Sequence, residues 1–135
     1  MTSLIVDASV AVKWFFSEPD SQRANDLRDG EFDFIAPELI IAEIGNAAWK
    51  KLSRNEIDAA GAVFVVRRPP LVFDSLVSMI DLAEAAMQLS AALLHPIYDC
   101  FYLALAERER APFVSADARL LEAAKRVPAI KARKL

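Results

Sequence analysis

Hydrophobic positions along this chain form short β-branched runs separated by longer stretches with helical spacing. Leu4-Ile5-Val6 is a continuous apolar run closed by Asp7-Ala8-Ser9, which predicts a buried parallel strand feeding a helix start. Ala8 to Phe16 follows as a helix, broken by Glu18-Pro19-Asp20-Ser21. A second helix runs from about Pro19 or Asp20 to Arg28 and stops at Asp29-Gly30. Phe32 to Ala36 reads as a brief strand ending at Pro37. From there a helix extends to about Lys51, with Leu39, Ile40, Ile44, Ala47 and Ala48 at helical spacing. Proline is tolerated in a first helical turn, and Glu38 suits the positive end of the helix dipole.

The second half repeats the alternation. Asn55 to about Val66 is helical until Arg67-Arg68-Pro69-Pro70, and Leu71-Val72-Phe73 is a short strand candidate. Ala83 to Leu94 is an alanine-rich helix interrupted by His95-Pro96, and Tyr98 to Arg110 is a helix stopped by Ala111-Pro112. Phe113-Val114-Ser115 is a strand that delivers Asp117 at its end. Asp117 to Arg126 is a short helix, and Ala129-Ile130 is the candidate for a last strand. Strands alternating with helices predict an α/β fold, a three-layer α/β/α sandwich around a central parallel sheet. No internal repeat or linker interrupts the 135 residues, so 1–135 is expected to be a single domain.

Composition narrows the setting. A domain of this length buries roughly two-thirds of its unfolded surface. With 55% hydrophobic residues and three glycines, the chain is neither disordered nor of low complexity. The single cysteine, Cys100, cannot form an internal disulfide, which suits a reducing compartment. No signal-peptide pattern is visible. Apolar stretches are cut by charge or proline well before the roughly 20 residues a bilayer span requires. A cytoplasmic protein with no membrane partner is expected.

The net charge of −3 is unusual for a nucleic-acid binder. Its distribution matters more. From Lys125 onward come Arg126, Lys131, Arg133 and Lys134 with no acid among them. A solvated helix end and tail would carry such a run, and so would an edge contacting phosphates or a partner. Both readings stay open on sequence grounds.

Four of the nineteen acids stand out. Asp7 and Asp117 each follow an apolar strand run, and ligands collect at the carboxyl ends of strands in open parallel sheets. Each could equally be a helix N-cap. Glu43 sits at i+3 from Ile40 and beside Ile44 and Ala47, on the apolar face of its helix. Charged residues are rarely buried unless paired or bound to a metal, so a salt bridge is its alternative. Asp99 opens a helix whose face continues inward through Leu103 and Ala106, and N-capping competes there too.

Clustered carboxylates repel and raise one another's pKa unless a cation neutralises them. Oxygen-only sites suit Mg²⁺, with Mn²⁺ as substitute. One cysteine and one histidine cannot build an ordinary zinc site. The sole histidine, His95, precedes a proline and reads as a loop residue rather than a general base. Metal-assisted phosphodiester hydrolysis is the reaction that requires least beyond these residues.

Several segments resemble PIN domains, and within them the VapC-type toxins of bacterial toxin–antitoxin pairs. They are Ile5-Val6-Asp7-Ala8-Ser9, then Pro37-Glu38-Leu39 with Glu43 and Asn46. Tyr98-Asp99-Cys100-Phe101-Tyr102-Leu103-Ala104-Leu105-Ala106 and Val114-Ser115-Ala116-Asp117-Ala118-Arg119-Leu120 follow in the family's order. The resemblance implies that Asp7, Glu43, Asp99 and Asp117 hold one or two Mg²⁺ ions, supported by Ser9, Asn46 and Ser115. It also implies an endoribonuclease acting on RNA, a homodimer, and silencing by a cognate VapB-type antitoxin. An apolar groove near Trp14, Phe15, Phe16 and Trp49 could receive that antitoxin, although core packing is the simpler role for most of these aromatics. Four other readings compete. A receiver domain would want an adjacent acidic pair after the first strand, and a haloacid-dehalogenase-like phosphatase an Asp-x-Asp; Asp7-Ala8-Ser9 supplies neither. A catalytically silent PIN-like binding module, or a nuclease acting on DNA, remains compatible with the residues.

Overall fold

The first apolar run becomes the centre of the sheet. In the computed structural model, which describes residues 1–135, it is strand β1 (Thr2–Val6). Around it lie β2 (Phe32–Pro37), β3 (Ser75–Val77), β4 (Phe113–Ser115) and β5 (Ala132–Lys134). All neighbours pair in parallel, in the order β3-β2-β1-β4-β5. Leu4 stands opposite Phe34 on one side of β1, and Val6 opposite Val114 on the other. Leu4, Ile5, Val6, Phe113 and Val114 are essentially inaccessible to solvent, as the continuous apolar runs require for a strand covered on both faces.

Helices α1 (Ala8–Phe15), α2 (Ser21–Arg28), α3 (Leu39–Ser53), α4 (Ala59–Val66), α5 (Pro69–Val72), α6 (Met79–Leu93), α7 (Ile97–Glu109) and α8 (Ala118–Lys125) complete the expected α/β/α sandwich. Helix α7 is the most deeply set. Every residue from Cys100 to Ala106 is buried, and the helix packs on β1, β2 and α6, so it shows no polar face along that stretch. Trp14 is a core residue: its indole Nε1–H donates to Ala24 O (2.7 Å) and its rings meet Phe34 and Phe73. Phe15 and Phe16 pack against the same core, and only Trp49 of the four singled-out aromatics is well exposed. No single helix is long and apolar enough to cross a membrane.

Some boundaries differ from the pattern-based expectation. Leu71-Val72 lies in a helical turn, α5, started by Pro69 and Pro70 in its first positions. The strand comes three residues later, anchored where the Asp74 carboxylate accepts the Phe34 N–H (2.8 Å). Ala129-Ile130 is likewise a turn, with β5 following at Ala132 where it pairs with Phe113. Helix α4 begins at Ala59 rather than Asn55, because Asn55 is left-handed (φ 59°) and Asp58 caps the helix by accepting the Gly61 N–H. Helix α6 begins earlier than Ala83, at Met79.

Candidate active site

Chain order runs outward from β1 through β2 to β3, then returns to β4 and β5 on the other side of β1. The direction therefore reverses between β1 and β4, and the crevice at the carboxyl ends of those two strands is where such sheets hold ligands. Asp7 follows the end of β1 there, and Ser115 ends β4.

Asp7 occupies the N-cap position of α1 but does not cap it with its side chain. Its two oxygens are engaged otherwise. Ser9 Oγ donates to Oδ1 at 2.5 Å, and Ser115 Oγ donates to Oδ2 at 2.6 Å. The two hydroxyls in turn accept backbone groups of the β4–α8 turn, Ala116 N–H at Ser9 (2.9 Å) and Asp117 N–H at Ser115 (3.0 Å). Ser115 is completely buried and Asp7 is 5% exposed. Burial pushes the Asp7 carboxyl up to about 6; the two serine hydroxyls pull it back, and the Asp99 charge adds to the rise.

Glu43 projects from α3, half-buried. Burial raises its pKa, the hydroxyl of Tyr102 lowers it, and the charges of Asp99 and Asp7 raise it again. The Tyr102 hydroxyl donates to Glu43 Oε1 at 2.5 Å. Burial and the Glu43 charge hold that phenol far above its ordinary range, so it remains a donor. Asp99 stands in the first turn of α7, where its Oδ2 lies 2.7 Å from His95 Nε2. Asp7, Glu43 and Asp99 thus come from three separate elements, and the Asp99 charge reaches both of the others. Asn46 is exposed and shares with Ser9, Glu43, Lys50 and Tyr98 the wall of a groove of about 420 Å³ beside these acids.

Asp117 behaves differently. It is exposed and caps α8, with Oδ1 accepting the N–H groups of Arg119 (2.9 Å) and Leu120 (3.2 Å). It is not among the charges that act on Asp7 or Glu43. Its link to the others is the backbone bond to Ser115. No three acidic, histidine or cysteine side chains close into a ready-made coordination sphere. The donor set nonetheless fits a hard divalent cation: oxygen ligands only, two of them raised in pKa by burial and by the charge of a neighbouring acid. Cys100 offers no competing nucleophile, because burial pushes its thiol up to about 11.

Two residues of this constellation escape sequence reasoning. His95 follows a helix stop and precedes a proline, yet its ring is only 10% exposed and meets Asp99. Tyr102 appears only inside the family-resembling segment, and it is buried except for the hydroxyl that reaches Glu43. The available signal is helical spacing, since His95 and Tyr102 lie four residues before and three after Asp99.

The sheet order and the carboxylates at its point of reversal define an α/β domain with an acidic centre. The chain belongs to the PIN domain family, whose model matches residues 4–126. PIN domains are generally nucleases and typically use divalent metals. Among solved structures, the chain is similar to PAE2754 from Pyrobaculum aerophilum (TM-score 0.68, 22% identical, covering 97% of this chain and 90% of that one). It is also similar to VapBC2 from Rickettsia felis bound to a promoter DNA fragment (TM-score 0.66, 15% identical, 99% of each chain covered). A third is DNA-bound VapBC from Salmonella typhimurium (TM-score 0.67, 17% identical, 99% and 98% covered). No curated protein matches the sequence.

Proposed function

We propose that this chain is a Mg²⁺-dependent endoribonuclease, with Mn²⁺ as substitute, that hydrolyses RNA phosphodiester bonds as the toxin of a type II toxin–antitoxin pair. The observation that carries this reading is the meeting of Asp7, Glu43 and Asp99 from three elements at the β1–β4 crevice, where the Asp99 charge raises the other two carboxyls. The Asp99 charge opposes ionisation of both Asp7 and Glu43, and a divalent cation bound between them relieves that. Asp7 and Asp99 are assigned as direct ligands, Glu43 and Asp117 as direct or water-mediated ones, with residues 1–135 acting as one nuclease unit. When bound, the ion supplies Lewis-acid activation of water and offsets charge developing on the phosphate.

The chain's own groups prepare that chemistry. Ser9 and Ser115 fix both oxygens of Asp7, so its remaining lone pairs have one orientation. Tyr102 does the same for one oxygen of Glu43, and His95 for one oxygen of Asp99. Asn46 and Lys50 line the open groove, where they can contact a nucleotide next to the acids. A VapB-type antitoxin partner, a homodimer and a cytoplasmic setting belong to this proposal. The antitoxin partner is supported by the fold likeness to VapBC assemblies and to a toxin–antitoxin complex from Klebsiella pneumoniae.

The test is cleavage of structured RNA by the purified, partner-free chain with Mg²⁺, with Mn²⁺ and with EDTA. Metal-dependent cutting that Asp7→Asn abolishes is the expected result. A folded chain that cuts neither RNA nor DNA would leave a binding module as the reading, and cutting of DNA alone would reassign the substrate.

A further inference from the structure

Charge is divided unevenly along this molecule. Residues 118–135 carry six basic side chains and one acid, whereas residues 1–117 carry ten basic side chains and eighteen acids. An acidic centre repels a polyanion, so a nuclease built on it needs positive surface close by. The fold puts that surface next to the site. Helix α8 starts directly after Asp117, and Arg119, Glu122, Lys125 and Arg126 recur along one of its faces at helical spacing. Together with His95 they line a cavity of about 450 Å³. His95 forms the shared wall, since its ring also touches Asp99. On the other side of α8, Lys125, Arg133 and Lys134 line a second depression of about 270 Å³ against β5.

These cations are largely free. Glu122 pairs only with Lys125, at 3.1 Å and with both side chains exposed. Arg126 donates to the neutral carbonyl of Leu93 (3.0 Å). Arg119, Lys131, Arg133 and Lys134 form no ion pair. A solvated surface normally intersperses the two signs; here four unpaired cations, Arg119, Arg126, Arg133 and Lys134, follow a helix and the adjoining edge strand. The eight residues of α8 extend roughly 12 Å, comparable to three or four nucleotides at about 3.4 Å each.

We propose that the α8–β5 face is the track on which the RNA backbone lies as it enters the acidic centre, with Arg119 contacting the phosphate nearest the cleaved bond. This rests on the nuclease reading for its biological sense, and its test separates the two. Binding of a fluorescein-labelled single-stranded RNA to the full chain in EDTA is followed by anisotropy between about 50 mM and 200 mM salt. Wild type is compared with Arg119→Gln, with the pair Arg133→Gln and Lys134→Gln, and with Arg28→Gln on α2 as a charge-matched control. Cleavage kinetics with Mg²⁺ are measured on the same proteins.

The track variants bind RNA several-fold more weakly whatever its sequence, and the slope of log Kd against log salt falls by about 0.7 for each phosphate no longer neutralised. KM rises while kcat stays near wild type, and the control changes neither. Track variants with wild-type slope and KM overturn the proposal while leaving the nuclease reading intact. A wild type that binds but does not cut, with a slope that still falls in the variants, sustains the track and removes the nuclease reading. Absence of RNA binding by a folded wild type at low salt overturns the track, and absence of Mg²⁺-dependent cleavage as well removes the nuclease reading. Variants that bind RNA normally but lose an otherwise co-purifying protein assign the face to that partner instead, and the proposal fails.

Discussion

Asp7 and Asp117 follow strands in the same way, precede helices in the same way, and end in opposite environments. Asp7 is buried and gripped by hydroxyls from Ser9 and from Ser115, 108 residues away. Asp117 is in solvent and gives one oxygen to two N–H groups of α8. Position after a strand therefore brings a carboxylate to the crevice without deciding what it does there. The difference lies in the donors: Asp7 is held by one hydroxyl from its own helix and one from the neighbouring strand, whereas Asp117 meets only the N–H groups of its helix.

The contrast can be broken most decisively by charge removal. Asp7→Asn is expected to abolish metal-dependent cleavage with the fold retained, as circular dichroism would verify. Next in size is Ser115→Ala. Removing the donor behind a metal-binding carboxylate is expected to lower activity or metal affinity about 10- to 100-fold. Ser9→Ala, at a less buried hydroxyl, should cost less.

The pH dependence of stability isolates Asp7 in another way. Its folded pKa of about 6 lies above the ordinary value of 3.8. The folded state therefore binds the proton more tightly, so this group's contribution is fully present below pH 3.8 and is lost as pH rises through about 6. Without metal, the stability of wild type relative to Asp7→Asn should fall by on the order of 3 kcal/mol across that window. Denaturant titrations of both proteins at several pH values would measure it, and a constant gap would mean that Asp7 is not desolvated. The smallest effect belongs to Asp117. Asp117→Ala should cost about 1 kcal/mol through removal of the cap, and Asp117→Asn, which can still accept those N–H bonds, should restore most of it. Activity separates its two roles: full cleavage by Asp117→Asn would make it a structural cap alone.

Much of the fold is legible in the sequence because the central strands are buried on both faces. Leu4-Ile5-Val6 and Phe113-Val114-Ser115 announce themselves as apolar runs, and the acids that follow them mark the crevice. The edge strands escape the pattern because each is three residues long and takes its position from its partner. Ser75–Val77 is set by pairing with β2, and Ala132–Lys134 by pairing with β4. At the site, Glu43 stands out as a charge on an apolar face, and α3 does half-bury it. What supports it, the hydroxyl of Tyr102, comes from another helix 59 residues away and leaves no local pattern. His95 is hidden by its proline neighbour, which signals a break in the helix and says nothing of where the ring turns.

If Asp7, Glu43 and Asp99 form one cation site, the most direct test is Mn²⁺ binding by the metal-stripped chain, titrated calorimetrically at neutral pH. The expected result is saturable binding that Asp7→Asn and Asp99→Asn each remove, with both variants as well folded as wild type. Saturable Mn²⁺ binding unchanged in both variants, or none by the folded wild-type chain, would contradict it.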